Sequence, residues 1–192
     1  MGELITDGDA FLDLFSGFEH TAYRLEVRRS YGVAEEDEPF RRFLAGDEPG
    51  DEWLRPWLEL MAGQTGMGKR VERVRVVDDP PSDYLRFEIA NTCLNIEAGE
   101  DIRYLPRDMA QRMRLPEYDY WIFDSRFLVL LRFDDSDRFL GFERSADPDS
   151  VLRHLQSRDA AWHHALTFDR YLKTFLPEEV RTPGRRLPMP AR

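Results

Sequence analysis

Cysteine is almost missing from this chain: Cys93 is the only one in 192 residues. That excludes an internal disulfide and any multi-cysteine zinc site. Lysine is nearly absent as well, with Lys69 and Lys173 the only two among 27 basic residues. The bias toward arginine reads as GC-rich coding rather than selection for bidentate recognition. No uninterrupted apolar run approaches the roughly 20 residues that a membrane helix needs. The opening MGELITDGDA is acidic and lacks the basic and apolar regions of a secretory leader, so a cytoplasmic location and no membrane are expected. Histidine is limited to His20, His154, His163 and His164. None has the spacing of a metal-binding motif, and no cofactor is expected.

What is present supports a packed domain. A length of 192 residues suits one domain and is short for two. The net charge of −10 repels a phosphate backbone and argues against direct nucleic-acid binding. The acid is concentrated early: residues 1–68 hold 15 Asp and Glu against 6 Arg, a net of −9. The last twelve residues carry Arg181, Arg185, Arg186 and Arg192 and no acid.

Periodicity orders the chain. Residues 7–17 place Phe11, Leu14 and Phe15 on one helical face behind an Asp7 or Asp9 cap. Residues 20–28 alternate, with Thr21, Tyr23, Leu25 and Val27 opposite His20, Arg24, Glu26 and Arg28; this predicts a half-buried strand. Short helices are expected over 37–45 and 52–62, separated by the acidic loop 46–52. A strand over 69–77 precedes a helix over 82–97, where Leu85, Ile89, Cys93 and Ile96 form the apolar stripe behind a Ser82 cap. Strands follow at 101–105, 119–124, 126–133 and 138–144. Asp147-Pro148 then opens a helix carrying Val151, Leu152, Leu155 and Trp162. The expectation is an α/β (α+β) fold: one domain over residues 1–176 with a central mixed or antiparallel sheet flanked by helices. Residues 177–192, rich in Pro and Arg, read as a disordered tail.

The loudest motif is a decoy. Gly63 to Lys69 fits the pattern GxxxxGK, but a phosphate-binding loop needs a preceding strand, a following helix and a Ser or Thr after the lysine. Here Arg70 follows, and the order of helix and strand is inverted. His163 and His164 point about 100° apart on a helix and cannot chelate one metal together. Asp159 stands four residues before His163 and could orient its ring. Serines lack a nucleophile elbow, and Cys93 on an apolar stripe is inert. Glu97, Glu100, Asp101 and Asp124 could supply a carboxylate pair, but spacing does not say which two converge. Arg24, Arg28, Arg86 and Arg103 could form an anion-recognition patch, because guanidinium forks suit carboxylate and phosphate. Ordinary ion pairs on a strand surface explain them as well. Candidate binding residues are these four with Glu26, Glu88, Asp124, Arg126, Trp162 and His163; none is assigned to catalysis.

Eight segments carry a family resemblance: FEHTAYRLEVR (18–28), EPFRRFLAG (38–46), RPW (55–57), RVRVV (73–77), DYLRFE (83–88), EAGEDIRYLPR (97–107), DYWIFDSR (119–126) and DAAWHHA (159–165). Together they resemble an uncharacterised actinobacterial family, domain of unknown function 6879, over about residues 10–172. Its members are encoded beside helix-turn-helix regulators. The resemblance therefore implies a regulatory neighbourhood and a regulator as partner, and brings no catalytic residues. The second half is also similar to the phospholipase-D-type half domain used as a sensor by some regulators. Its catalytic H-x-K-x4-D pattern is absent, since Met67 stands two before Lys69 and Tyr171 two before Lys173. The leading expectation is a non-enzymatic regulatory or interaction module that binds a helix-turn-helix regulator, a small anionic ligand, or both. The alternative is an enzyme acting on a small anionic or nucleotide-like substrate held by arginines.

Overall fold

The computed structural model describes residues 4–48 and 50–175; the expected tail at 177–192 lies outside them. The chain opens with β1 (Leu4–Ile5), α1 (Gly8–Gly17), β2 (Thr21–Glu26), α2 (Ala34–Ala45) and α3 (Arg55–Gly66). It continues through β3 (Arg70–Val77), α4 (Asp83–Glu97), β4 (Glu100–Pro106) and α5 (Arg107–Arg112). Three strands follow, β5 (Tyr120–Phe123), β6 (Phe127–Phe133) and β7 (Phe139–Ser145). The described chain ends with α6 (Pro148–His164), β8 (Leu166–Thr167) and α7 (Phe168–Phe175).

All eight strands join one sheet in the order β1-β7-β6-β5-β2-β3-β4-β8. β2, β3 and β4 run parallel, and every other pairing is antiparallel. The sheet is therefore mixed and the fold α/β. Helix starts are written locally. The Asp7 side chain accepts from the Asp9 amide, Ser82 from Leu85, and Asp147 from Ser150. The β5–β6 hairpin turns through the three residues Asp124, Ser125 and Arg126 between the paired Phe123 and Phe127; Asp124 and Ser125 have positive φ (53° and 55°), and the Arg126 amide bonds the Phe123 carbonyl. Among the described residues, no helix is long and apolar enough to cross a membrane.

One face of the sheet buries Tyr23, Leu25, Val74, Tyr120, Ile122 and Leu128 under α5 and α6. On the other face, α1 and α3 cover Val71, Trp121 and Phe123, with Phe15 and Met61 filling between. Further along that face α4 and α7 cover Ile102 and Tyr104, the latter stacked on Tyr171 at 4.4 Å. Between the two apolar regions lies a layer of buried charge.

Several local expectations change. β2 is a central strand between β5 and β3 rather than a half-buried one, so its polar side is covered by helices. α3 continues to Gly66, because Thr65 ties its last turn to the Met61 and Ala98 carbonyls at 2.9 and 2.8 Å. The α4 stripe holds only for its first half. Cys93 and Ile96 are exposed, while Asn91, Thr92 and Asn95 are buried. The neighbouring strands carry polar atoms there, and the Thr92 hydroxyl meets the Tyr104 hydroxyl at 2.7 Å. On α6, Leu152 is exposed and His154 takes an inward position, bonded to the Ser150 carbonyl and the Tyr118 hydroxyl. β1, α5, β8 and α7 have no counterpart in the periodicity, being two to eight residues long.

Candidate functional site

The buried charge layer begins with alternation on two adjacent strands. In parallel register Arg24 of β2 pairs with Arg73 of β3, and Glu26 with Arg75. Glu26, 2% exposed, is ion-paired with three guanidinium groups: Arg24 at 3.1 Å, Arg73 at 3.3 Å and Arg75 at 2.6 Å. Burial would raise its carboxyl, but Arg75, Arg24 and Arg73 outweigh that and hold it far below the ordinary range. Arg73 also contacts Glu100 at 2.9 Å, and Trp57 donates to Glu100 at 2.8 Å. Arg75 reaches Glu88 at 2.5 Å. Arg24 reaches Asp119 at 3.2 Å, where Tyr31 donates at 2.5 Å and the Val27 amide at 2.9 Å. Each ion of the layer has a partner, which is what burial of charge demands.

This layer supports a cleft at the carboxyl ends of β2, β3 and β4. The cleft has a volume of about 690 Å³ and is walled by Val27, Arg28 and Arg29 after β2, Arg107, Ala110 and Gln111 on α5, the segment 114–117 that follows it, and Asp137. Four arginines line it. Arg28 is ion-paired to Asp137 and lies over the Phe133 ring at 4.6 Å. Arg29 and Arg107 share the single carboxylate of Asp78, at 2.8 and 2.7 Å. Burial pushes the Asp78 carboxyl up, yet Arg29 and Arg107 prevail and hold it below the ordinary range. Arg107 also donates to the Val27 carbonyl at 2.9 Å, tying the ends of β2 and α5 together.

The fourth arginine, Arg114, is exposed and stands at φ 53°. It closes α5: its amide bonds the Gln111 carbonyl, and the Leu115 amide bonds that of Ala110. This left-handed position after a helix is one that glycine usually fills. An arginine there costs conformational energy that glycine would not.

The sequence-predicted residues divide among three places. Arg24, Glu26 and Glu88 sit in the buried layer, and Arg28 stands at its cleft edge. Arg86 is half-buried on α4, 3.5 Å from Asp83. Arg103 faces the opposite side of the sheet, paired with Asp101 at 3.2 Å and stacked on Trp162 at 3.7 Å. His163 is exposed on that side, and Asp159, proposed to orient it, pairs instead with Arg158 at 3.1 Å. Asp124 lies at the amino end of β2, accepting from the amides of Glu19, His20 and Thr21 at 2.7–2.9 Å, with Arg126 on Glu19 nearby. The arginines expected to form one patch are thus spread over both faces. Lys69 of the GxxxxGK decoy is bound to the Gln64 side chain at 2.7 Å and to the Phe18 carbonyl. Sequence reasoning missed Arg29, Arg114, Asp78 and Asp137, which lie on connections without periodicity, Arg107, which opens the short α5, and Asp119, at the edge of the strand expected over 119–124. Arg73 and Arg75 did show as alternation within RVRVV. Among the described residues, no group of three or more His, Cys, Asp or Glu could hold a metal.

Among solved structures, the chain is similar to NucT from Helicobacter pylori: 8% identity, TM-score 0.49, over 83% of this chain and 89% of that one. It is also similar to TrmBL2, an archaeal chromatin protein, at 10% identity and TM-score 0.44, over 82% of this chain and 49% of that one. No curated protein matches it. Residues 9–173 match the family described as "Domain of unknown function (DUF6879)", to which the chain belongs.

Proposed function

We propose that this domain is a non-enzymatic binding module that holds a small anion in the arginine-lined cleft and passes its occupancy to a protein partner, a helix-turn-helix regulator. The observation that carries this reading is four guanidinium groups, of Arg28, Arg29, Arg107 and Arg114, around one cleft in a chain of net charge −10. Two carboxylates, Glu117 and Asp137, line the cleft with them, and Asp78 is shared between Arg29 and Arg107. The position supports it too: ligands of open α/β sheets bind outside the carboxyl ends of parallel strands. A protein this acidic repels anions at long range, so a local excess of guanidinium is where one would settle.

Calorimetry with inorganic phosphate, pyrophosphate and citrate at low ionic strength tests the reading. One of them should bind, and the double variant Arg29→Ala/Arg114→Ala should weaken binding at least tenfold. No binding by any of the three, or binding indifferent to both substitutions, would refute it. The regulator encoded nearby should co-purify with the protein, and the protein alone should not shift DNA.

A second reading, an enzyme acting on a small anionic or nucleotide-like substrate, has one observation in its favour. Burial, with the Glu88 charge behind it, pushes the Glu36 carboxyl up to about 7, and Tyr84 donates to it at 2.5 Å. A carboxyl poised near neutrality suits proton transfer. Turnover lost in Glu36→Gln with anion binding intact would select this reading.

A further inference from the structure

Behind the cleft lies a second, much smaller space of about 20 Å³, enough for one oxygen-sized group. It shares Arg28, Arg29, Val76 and Arg107 with the cleft as a common wall. Its own lining adds Tyr31, Arg75, Asp78, Tyr84, Leu85 and Glu88. The chemistry there is already largely consumed. The Tyr31 hydroxyl donates to Asp119, and the Tyr84 hydroxyl to Glu36. Arg75 uses Nε on Glu26 and Nη2 on Glu88. Its Nη1 is buried and has no hydrogen-bond partner, on a side chain only 7% exposed.

A buried guanidinium N–H without an acceptor is costly, so an oxygen belongs beside it. The adjoining Glu88 carboxylate restricts which oxygen. A second anionic group would be repelled by it, whereas a neutral hydroxyl can accept from Arg75 and donate to Glu88 at once. We infer that this recess takes one hydroxyl group of the ligand while the ligand's anionic group stays among the outer arginines. The ligand class is then a small hydroxylated phosphate or carboxylate rather than a bare inorganic anion. The inference rests on the anion-binding reading above and adds the part of the ligand that confers specificity.

Matched pairs of ligands test it on the wild-type protein. Calorimetry compares glycerol 3-phosphate with n-propyl phosphate and malate with succinate, each pair differing in hydroxyls at similar size and charge. The hydroxylated member of at least one pair should bind at least tenfold more tightly, and the pair that responds identifies the anion as phosphate or carboxylate. In Leu85→Phe, which narrows the recess, the preference should vanish while the plain anion keeps its affinity. Equal affinities within both pairs would overturn the inference and leave the anion-binding reading standing. Binding of none of the four, nor of inorganic phosphate, pyrophosphate or citrate, would defeat that reading itself.

Discussion

Replacing Glu36 by Gln isolates one carboxyl at the junction of α2 and α4. Glu36 is half-buried, and Tyr84 donates to it from α4. Burial and the Glu88 charge raise its pKa from the ordinary 4.5 to about 7, against partial relief from the Tyr84 bond and from Arg75 and Arg24. The folded protein therefore keeps a proton at this site between about pH 4.5 and 7, where the unfolded chain has lost it. More protons bound in the native state means that stability falls as pH rises. The contribution is complete below about pH 4.5 and lost as pH passes 7. At about 1.4 kcal/mol per pH unit, the interval from 4.5 to about 7 amounts to roughly 3 kcal/mol. Glutamine still offers Tyr84 an oxygen and cannot ionise. Urea unfolding should place Glu36→Gln within about 0.5 kcal/mol of wild type at pH 4.5 and about 3 kcal/mol above it at pH 8.5. A wild-type-to-variant difference that stays constant across this range would refute the reasoning.

Glu26→Gln should cost about 3–5 kcal/mol in urea unfolding, because it leaves the buried Arg73 and Arg75 short of their shared anion. Arg114→Gly should raise stability by about 0.5–1 kcal/mol at the left-handed position. It should also weaken anion binding in calorimetry, a trade expected of a residue kept for its side chain. Gly99→Ala should destabilise by more than 1 kcal/mol in thermal unfolding: φ is +93°, and the new Cβ would stand 2.4 Å from the Thr65 hydroxyl oxygen, on the side chain that joins α3 to the Ala98 carbonyl.

Parts of the site were visible from residue order alone. Alternation marked Arg24 and Glu26 as neighbours on one strand face, and the same alternation was available in Arg73 and Arg75. The assumption that failed was that a polar strand face meets water. It would have held had β2 been an edge strand, but β2 lies between β3 and β5. Its charges are instead covered by helices and satisfied by groups more than 40 residues away, as in Arg73–Glu26 and Trp57–Glu100. Arg28, Arg29 and Arg114 stand on short connections and Arg107 opens the six-residue α5, too short for either period to show, so nothing in their spacing joined Arg29 to Arg107 or Arg114. Arg103 and Arg86 looked equivalent to Arg28 as isolated residues, and only the pleat and packing separated them.

Residue order by itself determined most of the α/β elements, because caps, prolines and hydrophobic periods act within a few residues of the chain. It also ruled out a disulfide framework and a phosphate-binding loop, which depend on residue types that are missing. Tertiary structure decided the strand order, the burial of the charged face and the convergence of arginines at the ends of β2 to β4. Those outcomes depend on contacts between distant segments, whose geometry is set by which strands become central and which helices cover them.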